Sequence, residues 1–91
     1  MYYVLLCRDR PGALAIRKAT RDSHLAYIRD TGVVTEAGPL LDAEGEMAGS
    51  LVVLDVPDRA AAEAWARADP YAKADLFADV EILTWKRVIG Q

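Results

Sequence analysis

The chain holds one histidine, His24, and it stands in a basic series. Arg17, Arg21 and His24 are spaced i, i+4, i+7, which is one face of a helix if the segment is helical throughout. A neutral imidazole is the side chain best suited to take a proton near pH 7, and two guanidinium groups beside it favour an anionic ligand. Thr20 reads as a cap that restarts the helix, which places His24 within about a turn of the positive end of a helix dipole. The same three residues also suit a solvated helix face, with the histidine at an ordinary surface position.

Asp69 precedes Pro70, and Asp followed by Pro is a common helix start, so its plainest role is an N-cap. Capping engages one carboxylate oxygen and leaves the other to accept an imidazole N–H and fix its tautomer. Gly38 and Gly49 read as punctuation at strand ends. Beside a histidine, Gly38 would let the backbone approach a ligand and Ser50 would offer a hydrogen bond. Asp42, Glu44 and Glu46 alternate, but they match no calcium loop and read as a solvated hairpin tip. With one cysteine and one histidine, a single chain assembles neither a disulfide nor a multi-ligand zinc or iron–sulfur site. Cys7 reads as a small core residue.

The elements that must position these residues come from patterning. Tyr2–Cys7 is rich in β-formers and ends at a polar stretch containing Pro11 and Gly12, which reads as the first strand. Residues 13–31 carry helix formers up to Gly32 and read as a short helix followed by a longer one, with Leu25 and Ile28 on the buried stripe. Val33–Leu41 and Ser50–Val56 are two more strands, paired antiparallel across the acidic tip. Pro57 and Asp58 open a helix with Ala61, Ala64, Trp65 and Ala68 on one face and Arg59, Glu63 and Arg67 as a solvated ladder opposite. Asp69–Phe77 reads as a further short helix, and Val80–Ile89 as the last strand. The order β-α-β-β-α-β is that of a ferredoxin-like α+β sandwich: four antiparallel strands with helices on one face.

Ninety-one residues at 10.0 kDa leave room for one core, and 53% hydrophobic with 27% charged residues predicts a folded chain. A net charge of -3 and a pI near 5.0 argue against a nucleic-acid or anionic-membrane surface. The longest apolar run is too short to span a bilayer and no basic segment precedes it, so the expected location is the cytoplasm. Strand one carries Tyr2, Val4 and Leu6 on one side and Tyr3, Leu5 and Cys7 on the other, and strand three is apolar on both sides as well. Helices cover one face only, so a homodimer packed through the helix-free sheet face is the expected assembly.

Taken in order, Leu14-Ala-Ile-Arg17, Thr20-Arg21-Asp-Ser-His24-Leu25, Ala37-Gly38-Pro39, Gly49-Ser50 and Ala64-Trp65-Ala-Arg-Ala-Asp69-Pro70-Tyr71 resemble the YciI-like (YCII-related) family, as does the closing strand with Trp85-Lys86. The resemblance spans nearly the whole chain and treats residues 1–91 as one domain. It implies a dimeric α+β barrel and a His-Asp pair in a cleft, here His24 and Asp69. Two positions depart from the pattern. Asp22-Ser23 stands where relatives often have Pro-Ala, and Asp75 stands where many have Gly, placing a carboxylate near the presumed pocket. The implied chemistry is that of a cofactor-independent lyase or isomerase acting on a small anionic or phenolic substrate. His24 is then the base, Asp69 its orienter, and Arg17, Arg21, Gly38, Ser50 and Tyr71 the substrate contacts. The alternative is a non-catalytic module that binds a small ligand or partner in the same cleft, with the tyrosines for stacking. A third reading makes His24 an axial haem ligand.

Overall fold

The computed structural model describes residues 1–90, so only Gln91 of the expected 1–91 domain lies outside the described residues. Its elements are β1 (Tyr2–Asp9), α1 (Leu14–Thr31), β2 (Val34–Leu41), β3 (Met47–Asp55), α2 (Arg59–Ala68), α3 (Pro70–Lys73) and β4 (Phe77–Trp85). The four strands form one sheet in the order β2-β3-β1-β4. Every neighbouring pair is antiparallel. This is the ferredoxin-like chain of the dimeric α+β barrel class. Among the described residues no helix is long and apolar enough to cross a membrane.

The register decides which residues face the helices. Tyr3, Leu5 and Cys7 of β1 stand opposite Leu54, Val52 and Ser50 of β3, and these six are buried. With Val56, Ala62 and Trp65 the apolar members form the main core. Burying a side chain such as Leu5 or Leu54 contributes about 1.5–3 kcal/mol. Trp65 also ties α2 to α1: its indole N–H donates to Thr31 Oγ1 at 2.9 Å, while the Tyr27 hydroxyl donates to the Trp65 carbonyl at 2.8 Å.

Several sequence expectations are corrected. α1 is one continuous helix, and Thr20 caps nothing; no Gly or Pro interrupts residues 13–31, so propagating the helix costs less than ending and nucleating it again. It stops at Gly32, which takes the left-handed conformation at φ 69°. Leu25 is not buried but 39% exposed, because the inward face of α1 carries Arg17 and His24. On α2 the buried alanine is Ala62, and Ala64 faces solvent. Asp58 does cap that helix, accepting from the Ala61 N–H at 2.9 Å.

α3 ends at Lys73, not Phe77, because Asp75 turns left-handed at φ 59° and the Leu76 N–H bonds back to the Tyr71 carbonyl at 3.1 Å. A residue with φ in that region explains why glycine suits the position. β4 begins at Phe77 and ends at Trp85, three residues before the expected start and four before the expected end. Its partner β1 pairs Asp9 with Phe77 and Tyr2 with Trp85, and these two pairs bound the ladder. Gly38 and Gly49 sit within β2 and β3 and mark no turn.

Candidate functional site

α1, α3 and the β2–β3 end of the sheet enclose a cleft of about 180 Å³. His24, Arg17 and Arg21 reach it from α1, Tyr71 from α3, and Gly38 and Ser50 from the strands. Apolar side chains complete the wall, among them Ile28, Pro39, Met47 and Val52. The lining therefore combines one imidazole and two guanidinium groups with a surface suited to a flat, apolar ring.

Asp69 stands behind the wall, 3% exposed, with its Oδ1 2.8 Å from His24 Nδ1. A carboxylate accepts and does not donate, so Nδ1 carries the proton of this bond, and in a neutral imidazole the lone pair is then on Nε2. The same Oδ1 accepts from the Tyr71 N–H at 3.0 Å, capping α3. Capping and orienting thus share one oxygen, where the sequence suggested one oxygen for each task. His24 itself lies in the middle of α1, away from any helix start, so the dipole expected to act on it is not aimed at it.

Arg17 is held otherwise than expected. Arg17 is 2% exposed, and its guanidinium makes a two-pronged ion pair with Asp9, Nε to Oδ2 and Nη2 to Oδ1, each at 2.7 Å. Nη2 also donates to Ser50 Oγ at 2.9 Å. Burial opposes the Arg17 charge, but the bonds and charge of Asp9 outweigh it, and the group is held above its ordinary pKa. Arg17 is consequently a fixed, internally neutralised wall. Ser50, by accepting from it, keeps its own hydroxyl proton to donate. Arg21 is exposed, lines the same cleft and enters no ion pair among the described residues.

Tyr71 is 2% exposed and stacks on His24, with ring centroids 3.9 Å apart and planes 18° from parallel. Burial raises its phenol pKa, with Arg17 opposing, so the hydroxyl stays protonated at neutral pH. Asp9 was absent from the residues singled out in the sequence. Its signal was the alternation of β1: positions 3, 5, 7 and 9 share the helix-covered face, which puts a carboxylate there. Asp75 is no part of the cleft; its side chain is 82% exposed and lies 3.5 Å from Arg10. The acidic tip uses Asp42 Oδ1 to accept from the Glu44 and Glu46 N–H groups, at 2.9 and 3.0 Å. The cleft is smaller than the roughly 300–1,000 Å³ of pockets for drug-sized ligands.

The chain is similar to several known proteins. The model of the YCII-related domain matches residues 1–86. An uncharacterized protein of Haemophilus influenzae is 35% identical, and the match covers 97% of this chain and 99% of that protein. Protein YciI of Escherichia coli is 32% identical over the same shares. Among solved structures, the 5-chloro-2-hydroxyhydroquinone dehydrochlorinase of Burkholderia phenoliruptrix AC1100, in complex with 2,5-dihydroxybenzoquinone, is similar at a TM-score of 0.88 and 29% identity over 94% of each chain. An antibiotic biosynthesis monooxygenase is similar at a TM-score of 0.61 but 14% identical over 98% of this chain and 100% of that one, which speaks to fold alone.

Proposed function

Because this chain belongs to the YCII-related family, we propose that it is a cofactor-independent lyase or isomerase acting on a small anionic or phenolic ring, with His24 as general base. His24 Nε2 takes a proton from an O–H or an acidic C–H of the bound ring. The released electron pair enters the conjugated system. It then leaves with a departing group, as in loss of HCl, or is quenched when the proton returns at another carbon. Asp69 holds the imidazole in the accepting tautomer and faces the positive charge that forms on it. Arg21 meets the anionic oxygen, and Ser50 donates to a ring substituent. The observation that carries this assignment is the buried hydrogen bond between His24 and Asp69 at the wall of a ring-sized cleft. The similarity to a dehydrochlorinase of a chlorinated hydroquinone supports the substrate class.

The active form is a homodimer. The helix-free face presents a shallow, mostly apolar hollow of about 460 Å³, lined by Val4, Leu6, Leu51, Val53, Leu83 and Trp85 with Glu36 and Thr84 among them. A second copy covers it.

The test is turnover of chlorinated and unsubstituted hydroxyhydroquinones by the purified protein, followed by chloride release and by absorbance, beside ligand-induced thermal shifts. His24→Ala should abolish turnover and keep the thermal shift. Arg21→Gln should weaken binding of anionic rings about tenfold at unchanged melting temperature, since an exposed arginine contributes little to folding. A thermal shift without turnover in the unaltered protein would leave a ligand-binding module. Shifts indifferent to both substitutions would move the site elsewhere.

A further inference from the structure

The hydrogen bond to Asp69 fixes one edge of the imidazole but leaves the ring free to swing about the line from Nδ1 to Oδ1. A base must hold Nε2 on its target, and an error of about 1 Å can cost about a hundredfold in rate. Something else must therefore set the plane of the ring. The face contact comes from Tyr71, stacked at 3.9 Å and 18°. Asp69 and Tyr71 are two residues apart on one short turn, and the oxygen that bonds the imidazole also accepts from the Tyr71 N–H at 3.0 Å. Edge and face are thus delivered by one rigid unit.

The far face of the Tyr71 ring is also occupied. The guanidinium carbon of Arg17 lies 4.6 Å from the ring centroid. A nearly parallel imidazole fills one face, so the guanidinium has the other. Arg17 and His24 are seven residues apart on α1, about 10 Å along the axis, which is room for one aromatic ring between two stacked groups. Arg17 cannot retreat, because Asp9 and Ser50 hold it. Phe77 meets the edge of the same ring at 6.0 Å and 79°. With both faces taken, Tyr71 is unavailable to stack on a ligand, contrary to the expectation from sequence.

We infer that Tyr71 is the positioning residue of this site: its ring, sandwiched between Arg17 and His24, sets the imidazole plane, and Asp9 backs the sandwich through Arg17. The inference rests on the reading of His24 as the base, but its test does not need turnover. The chain has one histidine, so imidazole NMR signals belong to His24 alone. The unaltered protein should show a single Nδ1-protonated tautomer with carbon-bound ring protons shifted upfield by the Tyr71 ring current. Tyr71→Phe keeps the ring and should keep both features. Tyr71→Leu should lose the upfield shift and mix the tautomers. Where a substrate is turned over, Tyr71→Leu should lower kcat by about a hundredfold at little change in KM, while Tyr71→Phe stays within a few fold. His24 signals in Tyr71→Phe that lose the single tautomer would overturn the inference, as would unaltered signals in Tyr71→Leu. If Tyr71→Leu does not fold, the Phe variant and the ring-current shift of the unaltered protein decide alone. Absence of turnover with these signals intact would count against the enzymatic reading and not against the positioning.

Discussion

Asp69 is asked to do two things with one oxygen, and the two separate under substitution. Asn caps a helix nearly as well as Asp, so Asp69→Asn should leave the melting temperature within a few degrees. Its amide N–H₂, however, can donate to Nδ1 and favour the tautomer with the proton on Nε2, and it brings no charge to meet an imidazolium. Turnover should fall about 10²-fold or more, read as kcat beside calorimetry; a variant with normal kcat would remove Asp69 from the mechanism. Cys7, 2% exposed, has its thiol pushed up to about 12, by burial first and then by the negative charge of Asp69, with Arg17 opposing. The unfolded chain releases that proton near pH 9 and the folded chain holds it to about 12. The stability linked to Cys7 is therefore intact below about pH 9 and lost as pH rises through that window. Half-buried Tyr27 and buried Tyr71 are shifted in the same direction and add to the alkaline loss. Cys7→Ala should flatten the decline by up to about 1.4 kcal/mol per pH unit in urea titrations between pH 9 and 11. Equal slopes in the two proteins would show that the thiol is not the titrating group.

At the scale of elements, the two strand glycines behave differently. A Cβ on Gly49 would collide with the Cys7 carbonyl oxygen and sit 3.1 Å from the Leu40 side chain, while one on Gly38 would meet open space. The strand shifts register between Leu40 and Leu41 beside Gly49, so close backbone approach and irregular pairing coincide there. Gly49→Ala should cost about 1–3 kcal/mol and Gly38→Ala nearly nothing, measured by thermal melts of the two variants side by side. Equal effects would mean that β3 can move away from β1 at that point. The same element carries Ser50 to the cleft, so the distortion in Gly49→Ala would also reach the Arg17 wall.

For the whole molecule, the open face of the sheet is the deciding surface. Leu83 is 44% and Trp85 38% exposed on the strand beside β1, next to the half-buried Val4 and Leu6. Sedimentation at micromolar concentration should give about twice 10.0 kDa. Leu83→Lys should give a folded species of one chain mass, since a charge buried unpaired in that interface is costly. A native protein that sediments as one chain would remove the dimer.

Composition, charge and residue periodicity, read along the chain, were enough for the α+β order and the two apolar faces of the sheet. The likeness of its motifs to a known family paired His24 with Asp69. The element order follows from local pattern: runs of β-formers, turn residues, and Asp before Pro. What local pattern could not supply was anything set by register or by packing between distant elements. The inward face of α1 is occupied by Arg17 and His24, so its apolar periodicity is weak, and the helix read as two pieces around Thr20. The end of β4 is visible only in its pairing with β1, which closes at Tyr2 and Trp85. Arg17 looked like a free cation until β1 brought Asp9 onto the same face, and Tyr71 looked like a platform for a ligand until α1 occupied both sides of its ring. A side chain's partners across the fold depend on which faces meet, and that is decided only when the chain closes on itself.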